Sequence, residues 1–146
     1  RSMDQPRKAL AESFRVAIPF AQHLGVRLVE RGEGTAHTEL DLTPHQCNSF
    51  GAAHGGVLMS LLDVTMAMAA RSRPHHPDEG RSAVVTIEMK TSFLQPGQGR
   101  LAGHGRCVHR TRTMALCEAD VVDAAGRLVA RASGTFKYLR LRKTAP

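Results

Sequence analysis

An α+β domain, with one antiparallel sheet of five or six strands curled around a single buried helix, is the fold class this sequence predicts. Three observations predict it. The stretch from Val57 to Ala70 is apolar around nearly its whole circumference, as a helix at the centre of a core must be. The segments after Ser82 are rich in β-formers and joined by short turns, the pattern of antiparallel neighbours. The chain has 146 residues, 42% of them hydrophobic and 23% charged, which suits one globular domain spanning 1–146.

Taken in order, Arg1-Ser2 ahead of Met3 reads as a tag remnant, and residues 1–5 as a disordered start. Residues 6–17 predict a short helix, with Leu10, Phe14 and Ala17 at helical spacing and Pro19 ending it. Leu24 to Glu30 predicts a strand that stops at Gly32-Glu33-Gly34. Thr35 to Thr43 then alternates, with Ala36, Thr38, Leu40 and Leu42 on one face and His37, Glu39 and Asp41 on the other. Two such runs across a glycine-containing turn make a hairpin.

Pro44 closes the hairpin, and residues 45–54 form an irregular loop. A helix runs from Gly55-Gly56 to about Arg71, roughly 25 Å long at 1.5 Å per residue. Pro74 and Pro77 mark a loop through Gly80. Ser82–Leu94, Arg100–His109, Met114–Val122 and Arg127–Leu141 are strands, the first ended by Pro96-Gly97. Neighbours with short turns form a meander. In the last strand Leu128, Ala130, Ala132, Gly134 and Phe136 share a face small enough for a helix to lie close. The basic tail from Arg140 to Lys143 is expected to fray.

Charge and cysteine content narrow the function classes. Lys plus Arg number 20 and Asp plus Glu 13, giving a net +7 and a pI near 10.2. Such a balance suits a partner rich in negative charge. Aromatics at 4% with no Trp argue against single-strand nucleic acid, whose bases stack on exposed rings. Cys47, Cys107 and Cys117 are an odd number without metal-ligand spacing, so a reduced, cytoplasmic protein is expected. The helix carries Ser60, Asp63 and Thr65, which excludes it as a membrane span. No signal peptide is read at the start. His75-His76, His104 and His109 lack a carboxylate or thiol at ligand spacing, so no metal is expected.

Two features carry chemistry. Asp63 sits mid-way along a helix otherwise dressed for burial, where an unpaired carboxylate is costly. It is either a catalytic base or nucleophile, or a structural Asp bonded to a Thr or Ser or facing a wet groove. His54-Gly55-Gly56 opens the same helix. A helix N-terminus offers free N–H groups and partial positive charge, and the glycines let a ligand approach the backbone. The alternative is an ordinary loop-to-helix junction. His54 and Asp63 are nine residues, about 13 Å, apart on one helix. Acting on one substrate atom, they must come from two antiparallel copies, which predicts an obligate C2 dimer.

The run Asn48-Ser49-Phe50-Gly51-Ala52-Ala53-His54-Gly55-Gly56-Val57-Leu58-Met59-Ser60-Leu61-Leu62-Asp63 resembles the signature of hotdog-fold acyl-CoA thioesterases, most closely the phenylacetic-acid-degradation (PaaI-like) branch. The likeness extends through Leu24-Gly25-Val26, Thr86 to Met89, Phe93 to Gly97, Gly126 to Ala130 and Gly134-Thr135-Phe136. It implies a hotdog fold and hydrolysis of an aryl- or medium-chain acyl-CoA without a cofactor, coenzyme A being part of the substrate. It implies a homodimer, paired again into a tetramer. By the resemblance, the Gly55 N–H polarises the thioester carbonyl and His54 shapes that site. Asp63 of the partner attacks the carbonyl or activates water, Asn48 orients the thioester or the water, and Thr86 holds the water. Gly56 belongs to the substrate-binding backbone, and Arg110 and Arg112 fall where the family holds the nucleotide end.

Thr86 shares strand parity with Glu88 and Lys90, which leaves an ordinary strand Thr as its alternative reading. Asp63, rather than Glu, favours the Asp-using branches. A hotdog hydratase or dehydratase and a non-catalytic acyl-CoA-binding module are the competing readings. The hydratases' His-containing loop signature is missing. No nucleic acid or membrane partner is expected.

Overall fold

The computed structural model describes residues 18–72 and 82–140. The readings for residues 1–17, for the loop with Pro74, His75, His76 and Pro77, and for the tail past Arg140 lie outside the described residues.

Pro19 opens a helix. Helix α1 spans Pro19–Leu24, with the proline in the first turn and Gly25 at φ 82° as its cap. This corrects the expectation that Pro19 only terminates an earlier helix and that Leu24 starts a strand. Proline's fixed φ suits a first helical turn, and the left-handed glycine ends the helix one residue after Leu24. Strand β1 covers Arg27–Gly32 and β2 covers Thr35–Asp41, antiparallel across a turn with Glu33 and Gly34 both at positive φ.

Helix α2 runs Gly55–Arg71. Four strands follow: β3 Ser82–Phe93, β4 Arg100–Arg110, β5 Met114–Val122 and β6 Leu128–Arg140. All pairings are antiparallel in one six-stranded sheet, ordered β1-β2-β4-β5-β6-β3. β4, β5 and β6 form the expected meander. β3 does not sit beside β4. It crosses to the far edge, against β6.

The sheet wraps α2, whose Leu58, Leu61, Leu62, Val64, Met66, Met68, Ala69 and Ala70 are buried. Opposite them lie Ala36, Leu40, Leu101, Ala119, Val121, Ala130, Ala132 and Phe136. The alternation of β2 holds: Ala36, Thr38 and Leu40 face in, while His37, Glu39 and Asp41 are half-buried or exposed. Close approach comes from glycines. A Cβ at Gly105 would lie 2.9 Å from Thr65 Cγ2 and 3.0 Å from its carbonyl oxygen, and one at Gly134 would lie 3.2 Å from Met66 Cε. The helix also carries a buried polar contact, Thr38 Oγ1 to Thr65 Oγ1 at 2.6 Å. Thr65 in turn donates to the Leu61 carbonyl at 2.6 Å, which satisfies its hydroxyl. Cys47, Cys107 and Cys117 are free thiols, and burial pushes the Cys117 thiol up.

One stripe of α2 is not covered by the sheet. Met59 is exposed, and Asp63 and Ala67 are half-buried. The helix is apolar all round, yet a single chain buries only part of it.

Candidate active site

The loop before α2 is tightly pinned. Gln46 Nε2 donates to the Leu24 carbonyl at 2.7 Å, His54 N–H to the Gln46 carbonyl at 2.9 Å, and Ala53 N–H to the Gly97 carbonyl at 2.8 Å. His54 is the N-cap in extended conformation, and its Nδ1 accepts from the Gly56 N–H at 2.9 Å. Nδ1 is thus the acceptor, and in the neutral ring the proton sits on Nε2. With the Gly56 amide engaged by His54, the Gly55 N–H is left at the first helical position without a partner among the described residues. Its direction along the helix axis and the aligned peptide dipoles suit it to a developing negative charge on oxygen.

Asn48 does not aim its carbonyl oxygen at the helix. Its Oδ1 accepts from the N–H groups of Phe50 at 2.9 Å and Ala52 at 3.2 Å, closing a side-chain-mediated turn. Gly51 within that turn has φ 74°. Only the carboxamide N–H₂ remains for a ligand. Asn48 and Gly55 line a groove of about 590 Å³ together with Phe50, Leu58, Phe93 and Leu94.

Asp63 lies on the partly open stripe of α2, not in the dry core its surroundings in sequence suggest. Thr86 Oγ1 donates to Asp63 Oδ1 at 2.5 Å. Strand parity in the sequence groups Thr86 with Glu88 and Lys90, but the register slips between Thr86 and Glu88. Thr86 pairs with the fully buried Phe136, and Met89 pairs with Gly134. The extra residue, Ile87, is a bulge that turns Thr86 toward the helix while Glu88 faces away to bond the Thr135 hydroxyl at 2.7 Å.

Arg110 and Arg112 are not near Gly55 in the same chain. The Arg110 guanidinium lies 4.1 Å above the Tyr138 ring, and Tyr138 donates to the Ala70 carbonyl at 2.8 Å, at the C-terminal end of α2. That is fifteen residues, about 22 Å, from Gly55. Arg112 is exposed in the β4–β5 turn. The chain therefore joins the sequence-predicted residues into three groups: His54, Gly55, Gly56 and Asn48 at one end of α2, Asp63 with Thr86 at its middle, and the two arginines at the other end. Sequence reasoning passed over Phe50, Phe93 and Leu94 as groove residues. Their signal was two large apolar side chains just ahead of Pro96-Gly97 and one inside a turn-forming segment.

Residues 50–130 match the Thioesterase superfamily. The chain belongs to that superfamily. A Saccharolobus solfataricus relative is 31% identical over 98% of this chain and 99% of its own length. The acyl-coenzyme A thioesterase PaaI of Escherichia coli is 27% identical, over 75% of each chain. The structure of the conserved protein PA5202 from Pseudomonas aeruginosa superposes with a TM-score of 0.76 at 33% identity, covering 84% of this chain and 94% of that one. The chain is thus a hotdog-fold, PaaI-like thioesterase, and its reaction class is thioester hydrolysis. No helix among the described residues is long and apolar enough to cross a membrane.

Proposed function

We propose that this thioesterase hydrolyses an aryl- or medium-chain acyl-CoA, with each active site built from two chains. The observation that carries the reading is the division of labour along α2. Among the described residues, a Gly55 N–H without a partner stands at the helix start, and a Thr86-bonded carboxylate stands two turns on, on the stripe the sheet leaves open. About 12 Å separates these groups in one chain, so Gly55 of one protomer works with Asp63 of the other.

A free edge supports the pairing. β3 is a twelve-residue edge strand with exposed Val85, Ile87 and Phe93, and Met59 is exposed on the neighbouring helix. Such an edge offers unpaired backbone groups to a second copy. With two helices antiparallel across a twofold axis, the arginine end of one chain comes to the Gly55 end of the other. Arg110 and Arg112 then receive coenzyme A phosphates across the dimer.

In the mechanism, the Gly55 N–H polarises the thioester carbonyl. Asp63 attacks the carbonyl carbon or takes a proton from the attacking water, and Thr86 holds the carboxylate or the water in line. Asn48 contributes its N–H₂ to the thioester, and His54 keeps the Gly56 amide engaged so that the helix start is rigid. The thiolate of coenzyme A leaves; after direct attack water then cleaves the acyl–Asp63 anhydride, and after base catalysis the water oxygen is already on the acyl carbon, so the free acid is released by either route. Side chains and water suffice, so no cofactor or metal is required. The same reading makes the assembly a dimer of dimers in the cytoplasm, where its thiols stay reduced, with phenylacetic-acid breakdown as a setting for an arylacetyl substrate.

The test is a panel of aryl and aliphatic acyl-CoAs followed by free-thiol detection. Wild-type chain releases thiol, and Asp63→Ala loses at least about 10²-fold in kcat while keeping its oligomeric mass. Full turnover in Asp63→Ala removes the carboxylate from the reaction. Water addition to crotonyl-CoA without thiol release replaces hydrolysis with hydration.

A further inference from the structure

We infer that Phe50 is a specificity-determining residue that, with Phe93 and Leu94, receives the apolar acyl group of the substrate. The assignment rests on the thioesterase reading and concerns which part of the substrate enters the groove beside Gly55.

Phe50 is 88% exposed, the most exposed of the large hydrophobic side chains among the described residues. A phenyl ring left in water adds nothing to folding stability. Yet its backbone is not loose. The Asn48 side chain holds the Phe50 and Ala52 N–H groups, the Asn48 N–H donates to the Ala52 carbonyl at 2.7 Å, and Gly51 takes the left-handed conformation the turn needs. An ordered turn that presents one aromatic ring to solvent is built for a ligand or a partner surface.

The groove decides for a ligand, and for one end of it. Phe50 lines the same cavity of about 590 Å³ as Gly55, whose position is 3.4 Å from the Phe93 ring when a Cβ is built on it. A carbonyl held on the Gly55 N–H has two substituents, the acyl chain and the sulfur arm of coenzyme A. The sulfur arm carries amides and phosphates, which call for cations. The groove itself is lined by Phe50, Leu58, Phe93 and Leu94 and, among the described residues, by no charged side chain. The acyl chain is the apolar substituent, and the volume suits a ring or a medium chain.

The experiment compares kcat/KM for phenylacetyl-CoA and acetyl-CoA in wild type, Phe50→Ala and Phe50→Leu, with the oligomeric mass measured by light scattering. The inference expects the phenylacetyl-to-acetyl ratio to fall about tenfold in Phe50→Ala, and to recover most of that loss in Phe50→Leu, at unchanged mass. A ratio that stays at the wild-type value, with both substrates weakened alike, overturns it, because the ring then serves the common coenzyme A portion. A loss of oligomeric mass in Phe50→Ala also overturns it, in favour of a contact between copies. A wild-type chain that releases no thiol from either substrate overturns the thioesterase reading and this assignment with it. Wild-type turnover with an unchanged ratio in the variant overturns the assignment alone.

Discussion

Asp63 and Thr86 are the pair on which the proposed chemistry turns. The Thr86 hydroxyl donates to one carboxylate oxygen at 2.5 Å and leaves the other free to act. Thr86→Val keeps the shape and removes the donor. Because the site is solvent-accessible, stability should change by less than about 1 kcal/mol. The carboxylate's orientation is lost, and kcat is expected to fall by about 10- to 100-fold with little change in KM, while Thr86→Ser restores most of it. Steady-state kinetics of the two variants check this. An unchanged kcat in Thr86→Val makes the contact structural only. The resemblance names Thr86, while its strand parity with Glu88 and Lys90 points it the other way, for a definable reason. Alternation assigns faces only while the register holds, and the bulge at Ile87 breaks it one residue after Thr86. Asn48 was half legible: its place in a turn follows from residue type, but that its oxygen is consumed by the turn needed the geometry.

Among the elements, α2 was the most legible, because a helix apolar on all sides has one place to go. Its depth in the sheet depends on small residues across from it. Gly105 is the tightest against backbone: a Cβ there meets the Thr65 carbonyl oxygen at 3.0 Å, and backbone cannot swing aside. Gly105→Ala is expected to destabilise the fold by about 1–3 kcal/mol, seen as a lowered midpoint in thermal or urea unfolding. A melt identical to wild type means the helix has room the contacts deny. α1 was not legible because a proline suits the end of one helix and the first turn of the next equally well, and Pro19 is in a first turn. The place of β3 was not legible, since nothing local says which edge a strand joins. The consequence is large, because the edge position leaves β3 open to a second copy.

At the scale of the whole molecule, the outer face of the sheet carries the titrating groups. The His37 and His104 rings stack at 4.4 Å between centroids, and Asp120 lies opposite His104 in register. Burial, then the neighbouring His37, lowers the His104 pKa below its ordinary value, against the pull of Asp120. The folded state therefore binds fewer protons than the unfolded state once the pH drops below about 6.5. The stabilisation from keeping this ring neutral is complete above that pH and is lost as the pH falls. Urea midpoints are expected to decline between pH 7.5 and 5, and His104→Asn should flatten that decline. An equal slope in the variant places the acid sensitivity elsewhere. Asp41 behaves in the usual carboxylate sense. Arg100 and then Arg27 hold it down to about 2, so its pairing persists until the pH falls to that range.

The net charge of +7 gains a narrower meaning at this scale. Much of the cationic surface is already paired within the sheet, as Arg106 is with Glu118 and Arg131 with Asp120. Arg112, at the hairpin tip, is the cation to test first for coenzyme A phosphates. The spacing of Gly55 and Asp63 along one helix is what leads to the proposal that two helices cooperate.

That cooperation is the central claim, and mixed oligomers test it most directly. Asp63→Ala removes the carboxylate. Gly55→Pro removes the one N–H at a position where proline fits a helix. Each variant alone should be inactive. In a heterodimer, one site unites the intact Gly55 of the first chain with the intact Asp63 of the second. Unfolding and refolding the two together in equal amounts should restore about a quarter of wild-type thiol release per site, since half the dimers are mixed and each has one whole site. A mixture no more active than its parents would contradict the shared site.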